Sequence, residues 1–519
     1  MTPAPPGRML YDVIDVVNLT KRHGRKLAVN DISFTAVRGR VTGFLGPNGA
    51  GKSSTLRVLL GLDSADAGSA LIAGAPYRTL RHPLRTVGSL LDGTGAHPSR
   101  TAHAHLRWVA RSNGIRKDRV DEVLEIVGLS DAAGKRVGRY SLGMGRRLGL
   151  ATALLGDPEL LILDEPVNGL DPGGIRWIRR FLTEFAATGR TVLLSSHLMA
   201  EMADIADDLV VISGGRVVGP RTARCGHRRV RLPRGRVLRP HRAHRRAPRR
   251  PPEGRGQSVS DIVIAEFRKL LGLPASLVAV AISVLGTLGL AALSALSMRA
   301  ALDRGDTARF TDHTTTDAGL DLLPVSAVGA IVLGVVVISS EYRSHRDDAG
   351  GGRQISTTLT STPRRSALLA AKVIVVTVTT GALAALTVPA AVLVSQTLLG
   401  EHGHPLGDLV DRVGWRVAGS VVYLVLTALL ACAVTVLTRS GVIPLALLIA
   451  NTSLVSVSLL LTRVTALARY LPDVAGAQMV SANYPAQDML GPFAGGLVMA
   501  AWTVVMLVVA AVVFARRDA

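Results

Sequence analysis

Val41-Thr42-Gly43-Phe44-Leu45 runs directly into Gly46-Pro47-Asn48-Gly49-Ala50-Gly51-Lys52-Ser53. An apolar, strand-like run that ends in a glycine-rich loop, closes on Lys-Ser and opens a helix is a complete phosphate-binding loop. Its glycines let successive backbone N–H groups turn inward around phosphate oxygens, and the N-terminus of the following helix adds a partial positive charge. In that arrangement Lys52 reaches the β and γ phosphates of a nucleotide, Ser53 ligates Mg²⁺, and Ser54 completes the phosphate-binding set.

Further along, Leu160-Leu161-Ile162-Leu163-Asp164-Glu165-Pro166 places two acids at the end of a second apolar strand. Asp164 suits the Mg²⁺ shell, and Glu165 suits a general base that orients an attacking water. Between Val13 and Gly219 short apolar runs alternate with helical stretches and glycine turns, the pattern of an α/β domain. Val41 to Leu45, Leu160 to Leu163, Thr191 to Ser195 and Leu209 to Ile212 read as its buried strands.

Three further segments fall in order around these: Tyr140-Ser141-Leu142-Gly143-Met144-Gly145-Arg146-Arg147, Gly169-Leu170-Asp171-Pro172 and Ser195-Ser196-His197. With the loop and the paired acids, they resemble the ABC transporter superfamily, every expected element in sequence. The resemblance implies an α/β P-loop NTPase domain of the ABC ATPase type over 1–220, with ATP and Mg²⁺ as cofactors. Ser141 and Gly143 match a variant of the LSGGQ signature, which in the family caps the γ-phosphate of ATP bound to the opposite subunit. Asp171 matches the loop that crosses the dimer, and His197 the switch histidine that contacts the γ-phosphate. The implied partner is a second copy of the chain or a homologous half-transporter. Three positions depart from the pattern. His23, in Thr20-Lys21-Arg22-His23-Gly24, stands where an aromatic ring usually stacks on adenine, and Asp92 stands where a glutamine often contacts Mg²⁺. Met144 replaces the terminal glutamine of the signature, leaving the serine and glycine contacts available.

A chain of 519 residues exceeds one typical domain. After Ser260 come six apolar stretches, about Leu273 to Met298, Leu322 to Ser340, Val373 to Leu399, Val417 to Thr438, Val442 to Leu461 and Phe493 to Ala515. Each approaches or exceeds the roughly 20 residues that cross a bilayer as a helix. An all-α, six-helix transmembrane domain over 259–519 is therefore expected, embedded in membrane lipid. Arg268, Lys269, Arg343, Arg346, Arg353, Arg364, Arg365, Lys372, Arg439, Arg516 and Arg517 fall on one side of it, which the positive-inside rule makes the cytosol. A plasma-membrane protein with a cytosolic ATPase domain follows. Ala265-Glu266-Phe267-Arg268-Lys269-Leu270, Ser340-Glu341-Tyr342-Arg343 and the loop through Thr362-Pro363-Arg364-Arg365 resemble the ABC type-2 export permeases, where the first forms an interfacial helix and the second helps couple to the ATPase.

Much of the net charge of +22 sits in one tract, Arg221 to Gln257, which holds many arginines, no lysine and one acid, Glu253. It cannot bury enough apolar surface to fold, so a disordered linker over 221–258 is expected. Two readings of its origin stand: a solvated basic linker drawn to anionic lipid, or the product of a reading-frame shift between two adjacent genes. The two cysteines, Cys225 and Cys432, suggest neither a disulfide framework nor a metal site. A transporter driven by an ion gradient usually keeps ionisable residues within its spans, and none lies centrally in the six stretches. Six spans also argue against a nucleic-acid-binding ATPase, so no nucleic-acid partner is expected. The absence of central ionisable residues favours ATP as the sole energy source and suggests a small-molecule cargo that is apolar or amphipathic, and the family resemblance favours drug or antibiotic export over export of a lipid or peptide.

Overall fold

The computed structural model describes residues 12–91, 93, 95–199, 202, 205–218, 257–305, 315–320, 322–343, 353–454, 457–480 and 490–519. Asp92 and the arginine-rich tract over 221–256 lie outside the described residues. The chain divides into two compact units, one formed by Met1–Ile262, His345–Arg364 and Asp518–Ala519, the other by Val263–Ser344 and Arg365–Arg517.

The first unit is α/β and carries two sheets. β1 (Asp12–His23) pairs antiparallel with β2 (Lys26–Val37) on one side and β4 (Ala67–Ile72) on the other. The second sheet has the order β5-β6-β7-β3-β8-β9, with β3 at Val41–Leu45, β5 at Val87–Leu90, β6 at Leu160–Asp164, β7 at Thr191–Ser196, β8 at Asp208–Ser213 and β9 at Arg216–Val217. All its pairings are parallel except β8 with β9. Every residue of β3, β6 and β7 is buried, as continuous apolar runs covered on both faces require. Each fully buried Leu, Ile or Val contributes roughly 1.5–3 kcal/mol by leaving water, so these strands anchor the unit and fix the edge from which the loops depart.

Two short segments distant in sequence complete this unit. The helix Gln354–Ser361 lies in it: the buried Tyr77 hydroxyl donates to the Thr360 carbonyl at 2.6 Å, and Arg100 Nη1 donates to Gln354 Oε1 at 3.2 Å. Gln257 Nε2 joins the Ser112 carbonyl at 2.9 Å to that of Ser361 at 2.7 Å. Of the segment expected from family resemblance to help couple to the ATPase, the part over His345–Arg364 thus belongs to the α/β unit, while Ser340-Glu341-Tyr342-Arg343 belongs to the second. Asp518 accepts from Lys21 Nζ at 2.6 Å and from the Ser64 N–H at 2.8 Å, while Arg57 Nη2 donates to the Ala519 carbonyl at 2.7 Å.

The second unit is helical. Among the described residues five helices are long and apolar enough to cross a membrane: Pro274–Leu302, Leu323–Tyr342, Arg365–His402, Gly407–Thr438 and Pro492–Arg516. They correspond to five of the six expected spans. The remaining stretch, Val442 to Leu461, differs: a helix over Val442–Ile449 widens into a π-helical turn at Ala450–Leu454 and resumes at Val457–Leu461. Asn451 stands in that turn: its Nδ2 reaches Ser458 Oγ at 3.1 Å and Asp473 Oδ2 at 2.7 Å, and its Oδ1 accepts the Ser458 N–H at 3.4 Å, a side chain competing for a backbone donor of the resumed helix.

Small residues let these helices approach. A Cβ at Gly334 would stand 2.2 Å from the Ala428 carbonyl oxygen, so the helix Val328–Tyr342 meets the helix Leu406–Thr438 backbone to backbone. Four buried charges tie further elements together. Glu266 and Lys269 lie on the helix Val259–Leu271, Glu341 near the end of Val328–Tyr342, and Lys372 early in Arg365–Leu399. Lys372 Nζ donates to Glu266 Oε2 at 2.6 Å and to Glu341 Oε1 at 2.8 Å; Lys269 Nζ donates to Glu266 Oε1 at 3.2 Å and also to Glu341. Lys269 and Lys372, read from sequence as flanking cations on the cytosolic side, are members of a buried internal ion cluster. Nearby in sequence to the apolar runs, Arg416 pairs with Asp317, and Gln396 donates to the Thr315 carbonyl at 2.8 Å and accepts from the His404 N–H at 2.9 Å.

Candidate nucleotide-binding site

The site follows from the register of three neighbouring strands. In β3 and β7 Leu45 lies opposite Ser196, and in β6 and β7 Asp164 lies opposite Ser195. The three strands therefore end at one edge, where the Gly46 loop, Glu165 and His197 emerge together; the Gly46 N–H donates to the Ser196 carbonyl at 3.2 Å. In open parallel sheets this carboxyl edge is where ligands bind.

The loop after β3 has the shape its glycines predict. Gly51 has φ +104°, and a Cβ there would stand 2.4 Å from the Ala28 carbonyl oxygen. Neither the conformation nor the space admits another residue. The helix Lys52–Leu59 starts immediately afterwards, so its free N–H groups face the loop. Lys52 is buried, and its Nζ donates to the Gly46 carbonyl at 2.6 Å and the Pro47 carbonyl at 3.2 Å. It also lies 3.3 Å from Glu165 Oε1. His197 Nδ1 lies 2.8 Å from the other oxygen of Glu165. Asp164 is buried beside them and accepts from the Ser195 hydroxyl, which also accepts the Glu165 N–H at 3.1 Å.

A cavity of about 220 Å³ opens here, lined by His23, Lys26, Ala28, Asn48, Gly49, Gly51, Lys52, Ser53, Ser54 and Glu165. Eight residues expected from sequence thus share one wall. Gly46 and Pro47 take part through their carbonyls on Lys52, and Ala50 is buried within the loop. His23 stands at the cavity, its Nε2 3.1 Å from Ser54 Oγ. The loop supplies N–H donors and a buried cation suited to a triphosphate, and the Ser53 hydroxyl and Asp164 carboxylate are the hard oxygen donors that Mg²⁺ prefers.

Ser141, Gly143 and Asp171 do not line this cavity. Ser141 caps the helix Leu142–Leu154, its hydroxyl accepting from the Met144 N–H at 3.3 Å, and Asp171 caps Pro172–Ala187 through the Gly174 N–H at 3.2 Å. Both caps are exposed, and they are neighbours: a Cβ on Gly143 would lie 3.4 Å from the Gly169 carbonyl. Asp92 falls outside the described residues. Two features escaped the sequence reading. Lys26 joins the cavity wall from the strand after His23, and Ser195, noted only as a neighbour of His197, bonds both to the side chain of Asp164 and to the backbone of Glu165.

Residues 29–168 match the profile of a family described as ABC transporter. The chain is 40% identical over 209 residues to the uncharacterized ABC transporter ATP-binding protein YhcH of Bacillus subtilis, an alignment covering 40% of this chain and 68% of that protein. It is 42% identical over 209 residues to the bacitracin transport ATP-binding protein BcrA of Bacillus licheniformis, covering 40% and 68%. To the lantibiotic transport ATP-binding protein SrtF of Streptococcus pyogenes it is 34% identical over 206 residues, covering 40% and 89%. Among solved structures, an ATP-binding subunit of an ABC transporter aligns over 40% of this chain and 88% of its own, with 28% identity and a TM-score of 0.37. With a relative at 40% identity covered over two thirds of its length, and with the family's phosphate loop and paired acids meeting at one sheet edge, this chain belongs to the ABC transporter family.

Proposed function

We propose that the chain is an ATP-driven export subunit, with a cytosolic nucleotide-binding domain over 1–220, a linker over 221–258 and a plasma-membrane permease domain over 259–519. The observation that carries this reading is the joining, in one chain, of a phosphate loop facing Glu165 and five helices of membrane-crossing length. In it, the Gly46–Ser53 loop and Lys52 hold the phosphates, and Ser53 and Asp164 hold Mg²⁺, which would neutralise charge developing on the transferred phosphoryl group. Glu165 orients the attacking water and accepts its proton, and His197, already 2.8 Å from that carboxylate, fixes its direction and reaches the γ-phosphate.

The cavity of about 220 Å³ is smaller than the roughly 300–1,000 Å³ typical of enclosed ligand sites. That fits half of a shared site, with Ser141, Gly143 and Asp171 presented on exposed helix caps to the nucleotide of a second copy or a homologous half-transporter. Twofold pairing of two such chains gives two composite sites. The relatives' association with bacitracin and lantibiotic transport makes an amphipathic antibiotic the favoured cargo. The test is ATP hydrolysis by the full chain in lipid vesicles. Glu165→Gln is expected to bind ATP and lose most turnover, and amphipathic antibiotics are expected to stimulate the parent; unchanged hydrolysis in Glu165→Gln removes that residue from the role of base.

A further inference from the structure

Glu165 leaves β6 with φ +49°, a left-handed conformation that a glutamate adopts only at a cost. The turn aims its carboxylate at Lys52 and His197 rather than along the strand. Something must hold that turn, and the fully buried Ser195 hydroxyl is placed to do so. A hydroxyl offers one proton and two lone pairs. Here the proton goes to the Asp164 carboxylate, and a lone pair accepts the Glu165 N–H at 3.1 Å. That N–H is the first backbone donor past the end of the β6–β7 ladder, whose last pair is Asp164 with Ser195. One atom on the neighbouring strand thus fixes both the orientation of one acid and the backbone of the next.

We infer that Ser195 is a positioning residue for hydrolysis, locking the Asp164-Glu165 turn so that the carboxylate of Glu165 points into the nucleotide cavity. The inference rests on the reading of Glu165 as the base. Ser195 does not line the cavity, and the acceptors of Lys52 are the Gly46 and Pro47 carbonyls, so it acts on turnover and leaves phosphate binding to the loop.

The experiment uses the full chain in vesicles with ATP and Mg²⁺, measuring kcat and KM, and separately the Kd of ATP with Mg²⁺ and with EDTA. In Ser195→Ala a buried carboxylate loses a donor and a buried N–H its acceptor, and kcat is expected to fall about 10- to 100-fold. The Kd in EDTA is expected to stay within about threefold of the parent, and the tightening of ATP by Mg²⁺ to shrink, since Asp164 loses the Ser195 donor. Ser195→Thr keeps the hydroxyl on a strand position that favours β-branched residues, and is expected to recover most of kcat. A parental kcat in Ser195→Ala overturns the inference. Equal losses in the Ala and Thr variants, or a matching loss of ATP affinity in EDTA, assign Ser195 a packing role and overturn it as well. Glu165→Gln run in parallel separates the two claims: if it turns over normally the base assignment fails, whereas loss of turnover in Glu165→Gln with none in Ser195→Ala refutes only the positioning role.

Discussion

Replacing Lys372 by methionine probes what holds the helical unit together. The four charges Glu266, Lys269, Glu341 and Lys372 are each at most 4% exposed, and their nitrogens and oxygens approach within 2.6–3.2 Å in the pairs Lys372–Glu266, Lys372–Glu341 and Lys269–Glu266. Two cations balance two carboxylates, so the cluster is neutral as built. Methionine retains an unbranched side chain but leaves Lys269 facing both carboxylates, one negative charge in excess. Breaking a buried ion pair by removing one partner costs about 3–5 kcal/mol, because the remaining charge stays desolvated. For a unit of this size each kcal/mol shifts the melting temperature by roughly 2–4 °C, so a drop of about 6–20 °C is expected.

Glu341→Gln combined with Lys372→Met removes one charge of each sign and leaves Glu266 with Lys269 at 3.2 Å, the glutamine oxygen still able to accept from Lys269. The double variant is therefore expected to melt above the Lys372→Met single variant, with a coupling energy of a few kcal/mol in the double-mutant cycle, as expected for residues in one network. Melting of the full chain in detergent, with ATP binding followed separately to report on the α/β unit, measures both. A single variant melting within about 2 °C of the parent, or a double variant whose loss equals the sum of the singles, refutes the argument that mutual neutralisation holds these helices.

Gly51→Ala is expected to abolish ATP binding while leaving the membrane half folded, since its Cβ would meet the Ala28 carbonyl at 2.4 Å on a backbone with φ +104°; equilibrium binding of a fluorescent ATP analogue checks it. Mixing Ser141→Ala with Lys52→Ala chains is expected to restore hydrolysis above either parent, because both lesions can fall on one composite site and leave the other whole; no recovery, together with failed crosslinking of Ser141 to the opposite phosphate loop, counts against a shared site. Burial pushes the Asp518 carboxyl up, but hydrogen bonds from Lys21 and Ser64 and the charges of Lys21 and His23 outweigh it and hold the group below the usual aspartate range. The docking of Asp518 is thus at full strength above the unfolded value of about 3.9 and is lost as pH falls through the lower folded value, so the parent and Asp518→Asn are expected to differ in melting at pH 6 and to converge in strong acid. For residues 221–257, the encoding DNA discriminates between the two origins: a frame shift requires another frame to encode an ordinary ATPase tail ending near a start codon for the permease.

Local chemistry made the nucleotide site legible. Gly46 to Ser53 is contiguous, its glycines and lysine are needed at fixed spacing, and the strands before it and before Asp164 are unbroken apolar runs, so its position can be read from a dozen residues. The membrane half was legible in the same way where hydropathy decides, which is true of five helices. Over Val442 to Leu461 average hydropathy hides Asn451, whose side chain bonds Ser458 and Asp473 where the helix is interrupted. The ion cluster was hidden for a different reason. Glu266, Lys269, Glu341 and Lys372 are spread over 107 residues, and a lysine beside an apolar run looks the same in sequence whether it faces headgroups or an internal carboxylate.

The same limit explains why the sequence assigns a role to His197 and none to Ser195. A histidine after a strand carries its own chemistry; a serine acquires a role only from what the next strand places opposite it. The parallel register sets that role. With Asp164 opposite Ser195 and Leu45 opposite Ser196, the three strands deliver their acids, loop and histidine to one edge in a fixed stagger. Because side chains alternate between sheet faces, a slip of one residue between β6 and β7 would turn Ser195 to the face away from Asp164 and bring Ser196 or Leu194 there instead. Leu161, Ile162 and Leu163 are all buried, so the apolar run carries no alternation of polar and apolar residues that would mark the register. A slip that brings Leu194 there removes this hydroxyl from Asp164 and this acceptor from the Glu165 N–H, so the buried polar groups disfavour it, whereas the opposite slip would bring the hydroxyl of Ser196. The polar contact that holds the Asp164-Glu165 turn thus discriminates against one of the two slips, the one that would set an apolar side chain beside the buried carboxylate.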